Sequence, residues 1–285
     1  MSFARRPHPS TAAHRAWPLC RRCSGIALDM GSARTRIWVS GRGMILDVPT
    51  VTFPGTGAVH PVRRGAIVDT PGAARMLDRL LSRHLPRFRR PLVILATPVL
   101  DGVAYRAEAR AAVEVLRPRA VLTVPAARAV ALAGGADLSR PLLVVDIGAH
   151  ITEVVLLSEG AVVDARRAAL GTGDIDGAGT THTGIADVVI DMVAAMLRQD
   201  RTSLTLDALQ RGVLLAGGGA LRPDITYRLT GRLHTSVRAV PAPHTAAVRG
   251  AAKLLESTHA HPSAAGSIPR AAHFGQGVPE RGERA

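Results

Sequence analysis

Two short stretches of this 285-residue chain set a carboxylate and small residues where phosphate chemistry would use them. In "ALDMGSARTRI" an apolar run ends at Asp29 and turns through Gly31, Ser32, Ala33 and Arg34. In "VVDIGAHITEV" a second run ends at Asp146 and turns through Gly148, Ala149, His150 and Ile151. A tight turn after a strand can point backbone N–H groups at phosphate oxygens. An aspartate at the strand end can hold waters around a Mg²⁺ that bridges those phosphates. A third stretch, "GVLLAGGGALR", runs into Gly217, Gly218 and Gly219 and continues through Ala220 and Leu221 into a helical pattern. Glycines there let the backbone approach a flat ligand, and the following helix offers N–H groups and a positive dipole end. Each piece alone is a common turn.

The elements that must position these residues occur twice. From Asp29 the chain reads as strand, Gly-Ser turn, strand over Thr35–Val39, Ser-Gly-Arg-Gly turn and a third strand. From Asp146 it reads the same way, with the second strand over Thr152–Leu157 and a Ser-Glu-Gly turn. After the first triplet the periodicity predicts helix, strand, helix, strand, helix over roughly 71–84, 92–96, 102–116, 120–123 and 125–134. After the second it predicts the same series over roughly 184–198, 213–216, 220–231, 235–240 and 243–256. Two βββαβαβα units of an α/β protein follow, residues 25–139 and 140–256, facing each other across a cleft between the two turns. Residues 1–24 read as a basic flexible arm and 257–285 as a disordered tail.

Composition narrows the function classes. Hydrophobic residues make up 47% of the chain, enough for a buried core, and no apolar run approaches the ~20 residues that span a bilayer. The basic start lacks the continuous apolar segment of a secretory signal, and two cysteines do not make a disulfide scaffold, so a cytoplasmic location is expected. Cys20 and Cys23 have no second pair at zinc-ribbon spacing. The net charge of +14 is almost wholly arginine, since Lys253 is the only lysine, and it favours acidic partners or anionic surfaces. Aromatic content of 3% argues against base-stacking recognition of single-stranded nucleic acid.

Taken in order, the stretches resemble the actin-like ATPase superfamily, and within it the bacterial cell-shape proteins MreB and Mbl. "DMGSARTRIWVSGRGMILDVPTV" looks like that family's first phosphate motif and its P-[ST]-V stretch, and "VVDIGAHITEVVLLSEGAVV" like its second phosphate motif. "GVLLAGGGALRPDI" is similar to its adenosine motif, and "PHTAAVRGAAKLLE" to its closing P-x-x-x-[AV]-x-x-G helix. The resemblance covers roughly 25–256. It implies an actin-like fold binding ATP and Mg²⁺, with Asp29, Gly31, Ser32, Ala33 and Arg34 in the first phosphate turn. Asp146, Gly148, Ala149, His150 and Ile151 fall in the second, Gly217 to Leu221 lie beside the nucleoside, and Asp29 and Asp146 hold Mg²⁺ through water. The implied partners are the chain itself or a full-length paralogue, other cell-wall morphogenetic proteins, and the inner face of an anionic membrane.

Three departures bear on activity. The family's second turn is D-I-G-G-G-T-T-E, so Ala149, His150 and Ile151 replace Gly, Gly and Thr, and glycine-only backbone geometry is expected to be lost there. His150 could instead offer the phosphates a cation. In "VLTVPAARAVALAGG" the family's paired glutamates are replaced by Thr123 and Val124, which cannot orient water as a carboxylate does, so slow or absent hydrolysis is expected and no catalytic residue is assigned. The family's insertions after each triplet are shortened to "TFPGTGAVHPVRRGAIVD" and "GTGDIDGAGTTHTG", so the outer subdomains are expected to be reduced or missing. In "HLPRFRRP", Leu85 and Phe88 among arginines match the position of a membrane-touching loop. Two other readings stay open: an active ATPase or sugar-kinase-like phosphotransferase, for which Asp101 is the nearest candidate base, and a scaffold that binds no nucleotide.

Overall fold

The computed structural model describes residues 24–85, 90–100, 102–175 and 182–260. The first half forms β1 (Gly25–Met30), β2 (Arg34–Val39) and β3 (Gly43–Pro49), then a short hairpin of β4 (Val62–Arg63) and β5 (Ala66–Ile67). It continues through α1 (Thr70–Leu81), β6 (Leu92–Thr97), α2 (Gly102–Val113), β7 (Ala120–Pro125) and α3 (Ala126–Ala133). The second half forms β8 (Leu142–Ile147), β9 (Thr152–Ser158) and β10 (Ala161–Ala168), then α4 (His182–Gln199) and α5 (Leu204–Arg211). It ends with β11 (Val213–Ala216), α6 (Pro223–Leu233), β12 (Val237–Ala239) and α7 (Ala246–Ala260).

Two five-stranded sheets result, ordered β3-β2-β1-β6-β7 and β10-β9-β8-β11-β12. In each, the first three strands run antiparallel as a meander, and the last two run parallel to the first. The duplication expected from the motif order is therefore a duplication of topology. The structure adds β4–β5 and α5 to the expected elements. Short 3₁₀ turns also precede α6 and α7, where continuous helix was expected.

Near-continuous apolar strands reflect burial on both faces. In β8, Leu143, Val145 and Ile147 face one layer with α4, while Leu142 and Val144 face α3. In β1, Ile26 and Leu28 meet the layer of α1 and α2, while Ala27 meets α7 through Val248, Ala251 and Leu255. The two inner helices are thus exchanged: α3 follows the first sheet but packs on the second, and α7 follows the second but packs on the first. They cross at Gly250, where a methyl group would overlap the backbone carbonyl of Ala129 in α3. Lys253 adds its ammonium to the end of α3, donating to the carbonyls of Leu132 at 2.8 Å and Ala133 at 3.4 Å, where cations complement the helix dipole.

Little chain is left outside these layers. Between β3 and α1 stand only the Thr52–Val59 bridge and the β4–β5 hairpin. Leu85 is half-buried and packs on the core of the first sheet, so that part of the proposed membrane loop is held by the protein itself. Phe88, Asp101, Cys20 and Cys23 lie outside the described residues.

Candidate functional site

The carboxyl ends of both sheets meet at one cleft of about 290 Å³, the usual place for a ligand in open α/β sheets. Asp29, Gly31, Ser32, Ala33 and Arg34 line it from the first half. Asp146, Gly148, Ala149, His150 and Ile151 line it from the second, with Gly217 and Gly218 at the end of β11. Gly219, Ala220 and Leu221 do not line it. The Cα of Gly219 abuts the Ile147 side chain, Ala220 belongs to the second core, and Leu221 is 57% exposed.

The two turns are built alike. Gly31 N–H donates to the Arg34 carbonyl at 3.0 Å, and Gly148 N–H to that of Ile151 at 2.8 Å. The segment after each third strand takes up the turn's carbonyls. Thr50, of the P-[ST]-V stretch, donates its hydroxyl to Gly31 O at 2.7 Å and its amide to Ala33 O at 2.9 Å. In the second half Thr172 N–H bonds Gly148 O at 3.0 Å and Gly173 N–H bonds Ala149 O at 2.7 Å. The amides of Ser32, Ala33, Ala149 and His150 make no hydrogen bond among the described residues. Four orphan donors in a cleft are a fit for anionic oxygens.

The expected loss of backbone geometry in the second turn does not occur. Neither Ala149, His150 nor Ile151 has positive φ, because this turn closes through its Gly148–Ile151 bond without entering the left-handed region. What changes is side-chain chemistry. His150 lines the cleft with its Nδ1 buried and unpartnered among the described residues, and His244 does the same beside Pro243. Gly217, by contrast, does need to be glycine. Its φ is +81°, and a Cβ there would overlap Ile147 O and the Asp146 carboxylate.

Pairing across the first two strands gives the two aspartates opposite neighbours. Asp29 faces Arg36, and Asp146 faces Glu153. Burial raises the Asp29 carboxyl, but Arg36, 3.3 Å away, pulls it back. Burial pushes Asp146 up to about 7, and the negative charges of Asp29 and Glu153 push the same way. Two carboxyls held this way are a fit for a hydrated divalent cation, which would favour their charged forms. Arg34 is turned away to Asp47, which it meets at 2.5 Å. Burial opposes ionisation of Asp47, but the Arg34 hydrogen bond and the charges of Arg36 and Arg34 hold it below the usual range.

Two cross-cleft contacts were not anticipated from the sequence. Glu153 is 7% exposed and accepts the Val99 and Leu100 amides of the first half, both at 3.2 Å. The β4–β5 turn reaches across the rim: Arg64 donates to Ala169 O and to Asp174, both at 2.8 Å, while within the first half Gly65 N–H donates to Ser32 Oγ at 3.1 Å. Arg167 returns a bond to Arg64 O at 2.8 Å. Thr123 and Val124, at the expected glutamate positions, do not line the cleft, and Val124 is buried under α7.

The family described as MreB/Mbl protein matches residues 52–182 and 178–263. The cell shape-determining protein MreB of Escherichia coli (strain K12) is 23% identical over 327 residues, covering 83% of this chain and 94% of that protein. The cell shape-determining protein Mbl of Bacillus cereus (strain ATCC 10987 / NRS 248) is 21% identical over 318, covering 81% and 96%. An aligned span of 327 exceeds the 285 residues of this chain, so the relatives carry segments with no counterpart here. Among solved structures, MreB5 of Spiroplasma citri bound to ADP has a TM-score of 0.70 at 18% identity, covering 83% of this chain and 97% of that one. The MamK double helical filament has a TM-score of 0.68 at 16% identity, covering 82% and 98%. These likenesses establish an actin-like fold in shortened form.

Proposed function

The chain belongs to the MreB/Mbl family, and on that premise we propose that it is a cell-shape-determining, actin-fold protein whose cleft binds a nucleotide with Mg²⁺ but hydrolyses it poorly. The observation that carries this reading is the convergence of both phosphate turns, with their orphan amides, and both aspartates on one cleft that lacks a carboxylate at Thr123 or Val124. Its relatives' printed names, cell shape-determining proteins, support the cellular role. The similar MreB5 structures hold ADP and AMPPNP, which supports nucleotide binding. The similarity to a MamK filament supports self-association, with itself or with a full-length paralogue.

In this reading the turn amides bind phosphate oxygens, Gly217 keeps the backbone close to Asp146, and Asp29 and Asp146 hold the waters of the metal. What bound Mg²⁺ supplies is neutralisation of charge between phosphates and carboxylates. Glu153, which lines the cleft, is already engaged by the Val99 and Leu100 amides, so it is a poor base for an attacking water. Titration with labelled ATP and Mg²⁺, followed by a phosphate-release assay, tests this. Saturable binding is expected, with release slower than that of the E. coli relative by about a hundredfold. Matching turnover would favour the active ATPase, and absence of any binding would favour the nucleotide-free scaffold.

The cytoplasmic, membrane-peripheral placement belongs to the same proposal. No helix among the described residues is long and apolar enough to cross a membrane. Attachment would rest on the arginine-rich segment around Phe88 acting together with anionic headgroups. The full chain is expected to pellet with vesicles containing phosphatidylglycerol, and Phe88→Ala to reduce the pelleted fraction severalfold. An unchanged fraction would remove the loop from the proposal.

A further inference from the structure

We propose that the β4–β5 hairpin is a clasp across the rim of the cleft, locked by Arg64, that must open each time a ligand enters or leaves. The halves are already joined elsewhere by α3 and α7, each seated on the other half's sheet. The hairpin is a second joint, and it rests on bonds at the surface. Arg64 divides its guanidinium between two acceptors of the second half, Ala169 O and the Asp174 carboxylate, both at 2.8 Å. Asp174 is itself fixed by the Gly171 amide at 3.0 Å, so the acceptor is in place before Arg64 arrives. Arg167 of the second half answers by donating to Arg64 O at 2.8 Å and to Leu100 O at 3.2 Å, both in the first half.

The tip of the hairpin lies between the two phosphate turns. Gly65 N–H donates to Ser32 Oγ at 3.1 Å in the first turn, and a Cβ at Gly65 would overlap the Ile151 side chain of the second. Gly65, Ser32 and Ile151 line the cleft, and Arg64 does not. Arg64 therefore acts on access without touching what is bound. Two strands of two residues each do not hold a hairpin in place unaided. The Arg64 side chain is 55% exposed, so its bonds exchange readily with water in the local openings of a folded chain. A gate equally stable over the empty and the filled cleft slows entry and exit by the same factor. Arg64 then sets the rate of exchange and leaves affinity unchanged, whereas a ligand contact would change affinity.

Only the choice of ligand rests on the nucleotide-site reading above. Stopped-flow measurements on the full chain with a fluorescent ATP analogue and Mg²⁺ give both rate constants. In Arg64→Ala, association and dissociation are expected to speed up together by about fivefold, with the dissociation constant within about twofold of the parent's. Alanine at φ +44° is as constrained as arginine, so the side chain is the only variable. Arg63→Ala removes the same charge one residue earlier, from an exposed position with no bond across the cleft among the described residues, and is expected to leave both rates unchanged. Hydrogen exchange of the ligand-free chain needs no nucleotide: residues 62–67 are expected to exchange about fivefold faster in Arg64→Ala, with β1 unchanged. Unaltered exchange over 62–67, or faster dissociation without faster association, overturns the clasp. A parent chain that binds no nucleotide overturns the nucleotide-site reading, and hydrogen exchange then decides the clasp alone.

Discussion

Gly250→Ala is expected to lower the stability of the folded chain by about 2 to 3 kcal/mol, although alanine is the better helix former. On an exposed helix the exchange gains up to about 1 kcal/mol by restricting the unfolded chain. Gly231, within α6 and with no atom within 4 Å of an added Cβ, is the position where that gain should appear. At Gly250 the added methyl would overlap the Ala129 carbonyl, and backbone cannot rotate out of the way as a side chain would. The helices must separate, and neither can move alone. α3 is seated on the second sheet and α7 on the first, so parting them loosens two interfaces together. Urea unfolding of the two variants beside the parent chain makes the comparison. A Gly250→Ala curve that overlays the Gly231→Ala curve would show that the crossing is not tightly packed.

That crossing could be read in advance only in part. The glycine stood out in "PHTAAVRGAAKLLE", and the alanine-rich "AARAVALA" has the small side chains a close approach requires, but nothing local states that the two helices meet. The strands were more legible, because burial on both faces writes an unbroken apolar run such as "LLVVDI". The β4–β5 hairpin was not, since its turn is Arg64-Gly65, with φ of +44° and +75°, instead of the Asn-Gly or Asp-Gly that usually marks such a turn. Its reason for existing lies beyond the hairpin, in Ala169 and Asp174 across the cleft and in Ser32 of the first phosphate turn. α5 was missed for a different cause. It is 8 residues long, and its start is organised by Asp200, which accepts the amide of Thr202 before the helix and that of Thr205 in its first turn. In the second turn the residue types suggested damaged backbone. The register explains why chemistry changed and geometry did not: the strand-closing bond runs from the Gly148 amide to the Ile151 carbonyl, a backbone group any residue supplies, and Ala149 and His150 lie between them.

Register also sets the second large effect, which concerns Asp146. Opposite Glu153 and partly removed from water, its carboxyl is pushed from an ordinary 3.8 up to about 7. The folded chain therefore holds a proton there that the unfolded chain has released, and stability falls as pH rises between those two values. The favourable contribution is complete below the unfolded value and is lost as pH passes through about 7. In a site closed to water the displacement would be worth about 4 kcal/mol, and the half-buried side chain discounts it to about 2 kcal/mol. Asp146→Asn removes the titration, so the variant and the parent should be equally stable near pH 4. By pH 8 the variant should be the more stable by about 2 kcal/mol. The comparison must be made as a difference, because Asp47, whose carboxyl is held below its usual range, gives both chains an opposite trend at lower pH. Millimolar Mg²⁺ should narrow the gap at pH 8 by stabilising the parent chain alone, since an amide in place of the carboxylate removes the charge that holds the ion. A gap that is constant across the pH range would mean that Asp146 is ionised in the folded chain throughout, and that Arg36 offsets Glu153 more fully than their positions indicate.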